Sequence, residues 1–167
     1  MRSILEQEDA LKNNLNSKNG MYVTFKIDSE TYGIDVNRVQ EIIGIVPISH
    51  IPNSPDYLMG VINLRGRVVP VLDVRIKFKM DTKNYDASTV ILIVEFKDTS
   101  TGLIVDSVSD VIDIPADSIH DYSGTDSKIK SGSINYIASF NDDLILILDL
   151  DKMIDEEEIL NAGNDQQ

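Results

Sequence analysis

The chain contains no cysteine and no tryptophan, and it has only two histidines and few aromatic residues of any kind (6%). Without cysteine it can form no disulfide, no thiolate nucleophile and no cysteine-ligated metal site. Basic residues are also scarce, because 15 lysines and arginines stand against 28 aspartates and glutamates, which gives a net charge of −13. This charge argues against non-specific binding to nucleic acid or to an anionic membrane surface.

Long apolar runs are missing as well. No stretch approaches the ~20 apolar residues of a membrane-spanning helix, and the N-terminus turns acidic at Glu6, where a signal peptide needs its apolar stretch. Yet 42% of the 167 residues are hydrophobic, which suffices to bury the core of one domain or of two small ones that share an interface. We therefore expect an acidic, soluble, cytoplasmic protein without direct membrane insertion.

The hydrophobic residues present are mainly strand formers. The chain has 23 isoleucines and 14 valines but only 5 alanines, and β-branched side chains pack well on a pleated surface. Alternation of apolar and polar residues predicts ten strands, over residues 21–27, 31–34, 39–45, 60–64, 67–73, 89–96, 101–105, 108–114, 134–140 and 144–148. Asp35 is expected to cap one short helical turn. Residues 79–88 are interpreted as a polar linker, residues 115–133 as irregular, and a short helix is expected after Asp149.

The two halves of the chain resemble each other. Residues 32–43 align with 101–112, and residues 71–74 align with 147–150, in the same order. The similarity could arise by chance, because strand–turn–strand segments share a common sequence pattern, or it could result from a duplication. Two copies of about five short strands each predict a pair of small barrels, because closure of a barrel removes exposed strand edges.

Few residues suggest catalysis. His50 and His120 lack a second ligand at a metal-binding spacing, which indicates surface histidines and no metal site. Asp73 and Asp149 each end an apolar strand at matching places in the two halves. They could form the dyad of an acidic hydrolase-type enzyme, or each could cap a turn at a strand end. No nucleophile elbow or phosphate-binding loop is present, so no cofactor is expected.

Arg65 precedes Gly66 at the tip of a predicted turn between two apolar strands. Its guanidinium could meet a carboxylate or carbonyl group of a partner, or an acidic neighbour within the chain. Val36, Val39 and Glu41 form an apolar strip edged by a carboxylate, which is compatible with core and solvent or with a partner surface.

Four blocks together resemble the CheW family of chemotaxis coupling proteins: residues 32–42 (YGIDVNRVQEI), 51–55 (IPNSP), 60–75 (GVINLRGRVVPVLDVR) and 102–111 (GLIVDSVSDV). The resemblance implies a mainly all-β fold of two SH3-like five-stranded β-barrels packed together, with short helices that include a C-terminal one. It places a flexible segment over 1–20, a CheW-like domain over 21–155 and a tail over 156–167. The first barrel would lie mostly in 21–84 and the second mostly in 85–155, an arrangement that allows strands to be exchanged between them.

The resemblance also implies a non-enzymatic adaptor without cofactors, located at receptor arrays next to the inner face of the membrane. Its partners would be the cytoplasmic tip of methyl-accepting chemotaxis receptors and the regulatory domain of the histidine kinase CheA, which has the same fold. The receptor tip, a helical bundle, would dock into a groove at the seam between the barrels. Carried over by matching motifs, the receptor groove would comprise Val36, Val39, Glu41, Gly60, Arg65, Val90, Gly102 and Val105. The kinase face would comprise Val108, Asp110 and Ile112.

Overall fold

The computed structural model describes residues 20–121 and 133–154. Eleven strands lie within these ranges, together with two four-residue helices and two short 3-10 turns. The strands are β1 (Gly20–Ile27), β2 (Glu30–Asp35), β3 (Val39–Gly44), β4 (Leu58–Leu64), β5 (Arg67–Asp73), β6 (Val90–Phe96), β7 (Thr99–Val105), β8 (Ser107–Ile114), β9 (Ile119–Asp121), β10 (Ile134–Phe140) and β11 (Asp143–Leu148). The helices are α1 (Val74–Lys77) and α2 (Leu150–Met153), and the 3-10 turns span Val36–Arg38 and Ala116–Ser118.

The strands form two sheets, each of which curves into a small barrel. The six-stranded barrel has the order β8-β1-β2-β11-β10-β9, and the five-stranded barrel has the order β3-β6-β7-β5-β4. This confirms the predicted all-β fold of two packed SH3-like barrels with a few short helices. The six-stranded barrel has one strand more than predicted because the three residues of β9 pair with β10.

Both barrels draw strands from both halves of the chain. The hairpin β1–β2 joins β8, β9, β10 and β11, while the hairpin β6–β7 joins β3, β4 and β5. The two barrels repeat one plan, because β2 runs parallel to β11 as β7 runs parallel to β5. In that plan Gly33 lies opposite Ile147, and Gly102 lies opposite Val71. The alignment of the two halves matches Gly33 with Gly102 and Val71 with Ile147, so these two pairs occupy equivalent places in the two barrels.

The largest hydrophobic core lies between the barrels, and we call it the seam. Phe25 and Tyr32 of the hairpin β1–β2 stack with ring centroids 5.7 Å apart, and Tyr32 meets Phe78 of the other barrel at 6.0 Å. From the five-stranded barrel Leu92 and Leu103 enter the same cluster, both fully buried. Smaller clusters fill the interior of each barrel. The seam therefore holds the barrels together as one packed body.

Aspartates start three of the four short helical segments within the described residues. The Asp35 carboxylate accepts a hydrogen bond from the amide of Asn37 at 2.9 Å, which confirms the predicted cap. Asp73 accepts from the amide of Arg75 at 2.9 Å and begins α1, which the sequence analysis missed. Asp149 begins α2 in the same way. Asp73 and Asp149 are thus the strand-end caps that were one of their two predicted roles.

An ion-pair cluster centred on Arg75 links the barrels. Arg75, in α1, donates from Nε to Asp106 Oδ1 at 2.8 Å and from Nη2 to Asp106 Oδ2 at 2.6 Å, and it also pairs with Asp28. Asp28 lies in the turn of β1–β2, and Asp106 lies where the chain passes from one barrel to the other between β7 and β8. The hydrogen bonds from Arg75 lower the pKa of Asp106 below its usual value. The cluster therefore fixes one barrel against the other.

Candidate functional site

The seam is filled with side chains, and a shallow apolar strip remains at its rim. Val39 on β3 lies opposite Val94, Ile42 lies opposite Leu92, and both of these partners belong to the seam core. Val90, on β6, packs against the same core and is half-buried. Ile42 is 42% exposed. We call Val39, Ile42 and Val90 the rim strip, since they share one face of two neighbouring strands.

Three residues assigned to the receptor groove lie in the interior instead of on this strip. Val105 is 1% exposed and belongs to the seam core. A Cβ atom at Gly102 would approach Cγ2 of Ile91 to 2.8 Å, so this glycine faces the packed interior of the five-stranded barrel. A Cβ at Gly60 would come within 2.1 Å of the carbonyl oxygen of Ser49. In this structure these three positions are buried and shape the surface from below.

Position 60 needs a glycine because the backbone of Ser49 passes too close to leave room for a side chain. Ser49, which follows β3, exchanges two backbone hydrogen bonds with Val61 on β4, at 2.8 and 2.9 Å. This bridge joins the two edge strands of the five-stranded barrel. Gly60 has φ +145°, a conformation that residues with a side chain rarely adopt. The absence of a side chain therefore lets this barrel close.

Arg65 and Glu41 form an ion pair across one end of the five-stranded barrel. Arg65 (φ +50°) and Gly66 (φ +85°) make the tight turn between β4 and β5. The guanidinium of Arg65 donates to both carboxylate oxygens of Glu41 on β3, with 2.9 Å to Oε1. These hydrogen bonds hold the pKa of Glu41 below its usual value. The sequence analysis gave Arg65 two possible partners, and the structure shows the pairing with an acidic neighbour of the same chain. The side chain of Arg65 is nevertheless 67% exposed.

The corresponding end of the six-stranded barrel is open. Its hairpin tip carries Asn141 (φ +48°) and Asp142 (φ +66°), which both have positive φ angles, as Arg65 and Gly66 do. Asp110, which aligns with Glu41 in the internal repeat, therefore has no arginine at this tip to pair with. A cavity of about 190 Å³ lies there, and its lining includes the residues Lys26, Asp110, Ile112, Phe140 and Asp143. We call this cavity the open barrel end.

The remaining predicted site residues lie near these features. Asp110 and Ile112, of the predicted kinase face, line the open barrel end. Val108, the third, packs against the seam core from β8. Val36, half-buried, lies in the 3-10 turn directly before β3 and thus before the rim strip. Ile42 is the surface residue that sequence reasoning missed, although its place in the alternating pattern of β3 could have identified it.

The aspartates of the proposed dyad do not form one site. Asp73 lines a small space beside Tyr85, and Asp149 lines a separate cavity beside Tyr22 and Tyr136. Within residues 20–121 and 133–154, no three histidine, aspartate or glutamate side chains converge on a site that could hold a metal ion. The fold and its caps explain both aspartates, and nothing supports the hydrolase alternative.

Comparison with known proteins decides the family. The profile of the CheW-like domain matches residues 21–158 of the chain. The chain belongs to the CheW family. The chemotaxis protein CheW of Klebsiella aerogenes is 32% identical over 143 residues, which are 86% of each chain. The chemotaxis protein CheW of Bacillus subtilis is 31% identical over 144 residues, or 86% of this chain and 92% of that protein.

A solved structure of the family has the same fold. The crystal structure of the scaffolding protein TtCheW from Thermoanaerobacter tengcongensis superposes with a TM-score of 0.79 at 32% identity. The match covers 84% of this chain and 95% of TtCheW. The predicted membership in the CheW family is therefore confirmed. The chain is an adaptor, or scaffold, of chemotaxis signalling. In the part of the chain that the structure describes, no helix is long and apolar enough to cross a membrane.

Proposed function

We propose that this CheW-like chain joins the cytoplasmic tips of methyl-accepting chemotaxis receptors to the regulatory domain of the kinase CheA and catalyses no reaction itself. The observation that carries the proposal is the presence of two separate surfaces on one rigid body. The rim strip and the Arg65–Glu41 pair belong to the five-stranded barrel, and the open barrel end belongs to the six-stranded one. An adaptor located at receptor arrays needs two such surfaces in order to hold both partners at once.

The rim strip suits a receptor helix. The apolar side chains of a helix recur at three- and four-residue intervals and can lie along a shallow apolar strip. Val39, Ile42 and Val90 supply that strip on the seam face of β3 and β6, while Glu41, on the opposite face of β3, ties this strand to Arg65. Burial of apolar surface contributes about 25 cal/mol per Å², so a small strip binds weakly. Repetition of such contacts within an array raises the effective concentration and compensates for this.

The open barrel end suits the kinase. The regulatory domain of CheA has the same barrel fold, so contact between two barrel ends would pack apolar side chains against each other. Ile112 and Phe140 offer apolar surface there, and Asp110 and Asp143 offer charge for basic groups of the kinase. Val108 supports this face from the seam side of β8.

A charge exchange at Arg65 tests the receptor surface. We expect Arg65→Glu to weaken binding to a receptor tip fragment about tenfold, because two carboxylates would then repel each other and displace β3, the strand that carries Val39 and Ile42. Exchange of the pair, Glu41→Arg with Arg65→Glu, should restore most of the affinity if the ion pair acts by holding β3 in place. The measurement is isothermal titration calorimetry with the receptor fragment.

Lys79→Glu is the matched control, since it makes the same charge change at an exposed residue beyond α1. The Lys79→Glu variant should bind the receptor fragment with the same affinity as the wild-type chain. Unchanged affinity in Arg65→Glu would contradict the assigned surface. Failure of the exchanged pair to recover, with stability intact, would mean that Arg65 contacts the receptor directly.

A further inference from the structure

The repeated plan of the two barrels creates two equivalent recesses, one beside each helix cap. The first lies beside Asp73 and α1, and only about 10 Å³ of it is open. The second lies beside Asp149 and α2, and it is open to about 250 Å³. Both recesses flank the parallel strand pairs, β5 with β7 and β11 with β2. The two recesses are therefore built alike, but the first is filled and the second is open.

The chain itself fills the first recess. Residues 81–88 run across it, and the hydroxyl of Tyr85 donates to Asp73 Oδ2 at 2.7 Å. Arg75 fixes the same segment by donating to the carbonyl oxygen of Asp81 at 2.8 Å. Asp73 thus uses Oδ1 for its helix cap and Oδ2 for the side chain that occupies the recess.

The second recess has the same acceptor, and no residue of 20–121 or 133–154 occupies it as Tyr85 occupies the first. Asp149 Oδ1 accepts from the amides of Asp151 and Lys152 at 3.0 and 3.2 Å. Its Oδ2 lies 3.9 Å from Nζ of Lys152, which is too far for a hydrogen bond. Tyr22 and Tyr136 form part of the wall. The recess thus combines a carboxylate oxygen with two aromatic rings.

The charge of the second recess selects a cation. Asp35, Asp149 and Asp151 line it together with one arginine, Arg38, which is paired with Asp151 at 3.0 Å. The chain that follows α2 cannot balance this charge, because residues 155–167 contain five carboxylates and no lysine or arginine. Within the described residues, Arg38 is the one basic residue that lines this recess, so the recess still offers carboxylates to an occupant of complementary charge.

We infer that the second recess binds an arginine side chain of a partner polypeptide, which takes the place that Tyr85 has in the first recess. A guanidinium offers several donors in a fixed fork, which matches carboxylate acceptors such as Asp149 and Asp35. Its planar face also stacks on tyrosine rings. This inference does not depend on which chemotaxis proteins occupy the rim strip or the open barrel end.

Nuclear magnetic resonance of the full chain, labelled with ¹⁵N, tests the inference with two peptides. One is acetyl-Gly-Gly-Arg-Gly-Gly-amide, and the other has citrulline, which is uncharged, in place of arginine. We expect the arginine peptide to shift the amide signals of Tyr22, Asp35, Tyr136 and Asp149. Asp149→Asn should weaken its binding about tenfold, because a charge-assisted hydrogen bond is lost.

The control variant is Asp73→Asn, which makes the same change in the filled recess. Asparagine caps a helix as well as aspartate does, so both variants should keep their fold. Asp73→Asn should bind the arginine peptide like the wild-type chain. Equal binding of the citrulline peptide, equal binding by Asp149→Asn, or shifts confined to another surface would overturn the inference. So would shifts of residues 1–19 when Asp149→Asn is made without peptide, because the chain would then supply its own occupant.

Discussion

Replacement of Arg75 by methionine is expected to lower the free energy of unfolding by about 3–5 kcal/mol. The side chain of Arg75 is only 9% exposed, and it is paired with Asp106, whose side chain is 14% exposed. Methionine keeps much of the side-chain volume but leaves Asp106 as a buried charge without its guanidinium. The pairing with Asp28 across the barrels is lost as well. Equilibrium unfolding in urea measures the change.

Arg38→Met provides the comparison, since it removes the ion pair at the equivalent place beside α2. Both partners there are more exposed, at 31% for Arg38 and 62% for Asp151, so the loss should stay below about 1 kcal/mol. A loss in Arg75→Met no larger than that in Arg38→Met would contradict the role assigned to the Arg75 cluster.

The Arg75 cluster also predicts how stability depends on pH. Asp106 has a pKa lowered in the folded state, mainly by the hydrogen bonds from Arg75. Its contribution to stability is therefore complete above the unfolded pKa of about 3.9, and it disappears as the pH falls through the lower folded value. The stability difference between the wild-type chain and Arg75→Met should thus be constant near neutral pH and should shrink below about pH 4.

Gly60→Ala is the second change with a large expected effect, a loss of about 3–5 kcal/mol in the free energy of unfolding. The new Cβ would lie 2.1 Å from the carbonyl oxygen of Ser49, so the Ser49–Val61 bridge would have to open. The backbone at φ +145° adds strain for any residue with a side chain. Because the bridge joins the edges of the five-stranded barrel, receptor binding at the rim strip should weaken together with stability.

Gly44→Ala makes the same chemical change at the end of β3, where no atom lies within 4 Å of the added Cβ. It should change the free energy of unfolding by less than about 0.5 kcal/mol. Thermal unfolding followed by circular dichroism distinguishes the two variants. A Gly60→Ala chain as stable as Gly44→Ala would show that barrel closure does not need a glycine at this position.

Local patterning predicted most of the strands, the 3-10 turn after Asp35 and the short helix after Asp149, because these depend on neighbouring residues. It could not predict the exchange of the hairpins β1–β2 and β6–β7, since alternation marks the two faces of a strand and carries no information about its partner. The three residues of β9 and the four residues of α1 were missed because segments this short cannot show a repeated apolar pattern. Asp73 before Val74 was nevertheless a cap signal for α1.

The candidate site was harder to predict than the fold. Resemblance to the family marked Gly60, Gly102 and Val105, yet sequence cannot show whether a glycine makes room for a partner or for its own barrel. The structure shows the second reason for both glycines. Ile42 was passed over because an isoleucine in a strand is usually core, and only the position of β3 at a sheet edge leaves it exposed.

Simultaneous binding of both partners tests the central claim most directly. Receptor-bearing vesicles are sedimented with CheA and this chain, and both proteins are quantified in the pellet. We expect the chain to carry additional CheA into the pellet. Arg65→Glu should leave the chain and that CheA in the supernatant, whereas Asp110→Arg should leave only the CheA there. Competition between CheA and receptor for the chain, or loss of both partners in each variant, would contradict the account of two separate surfaces.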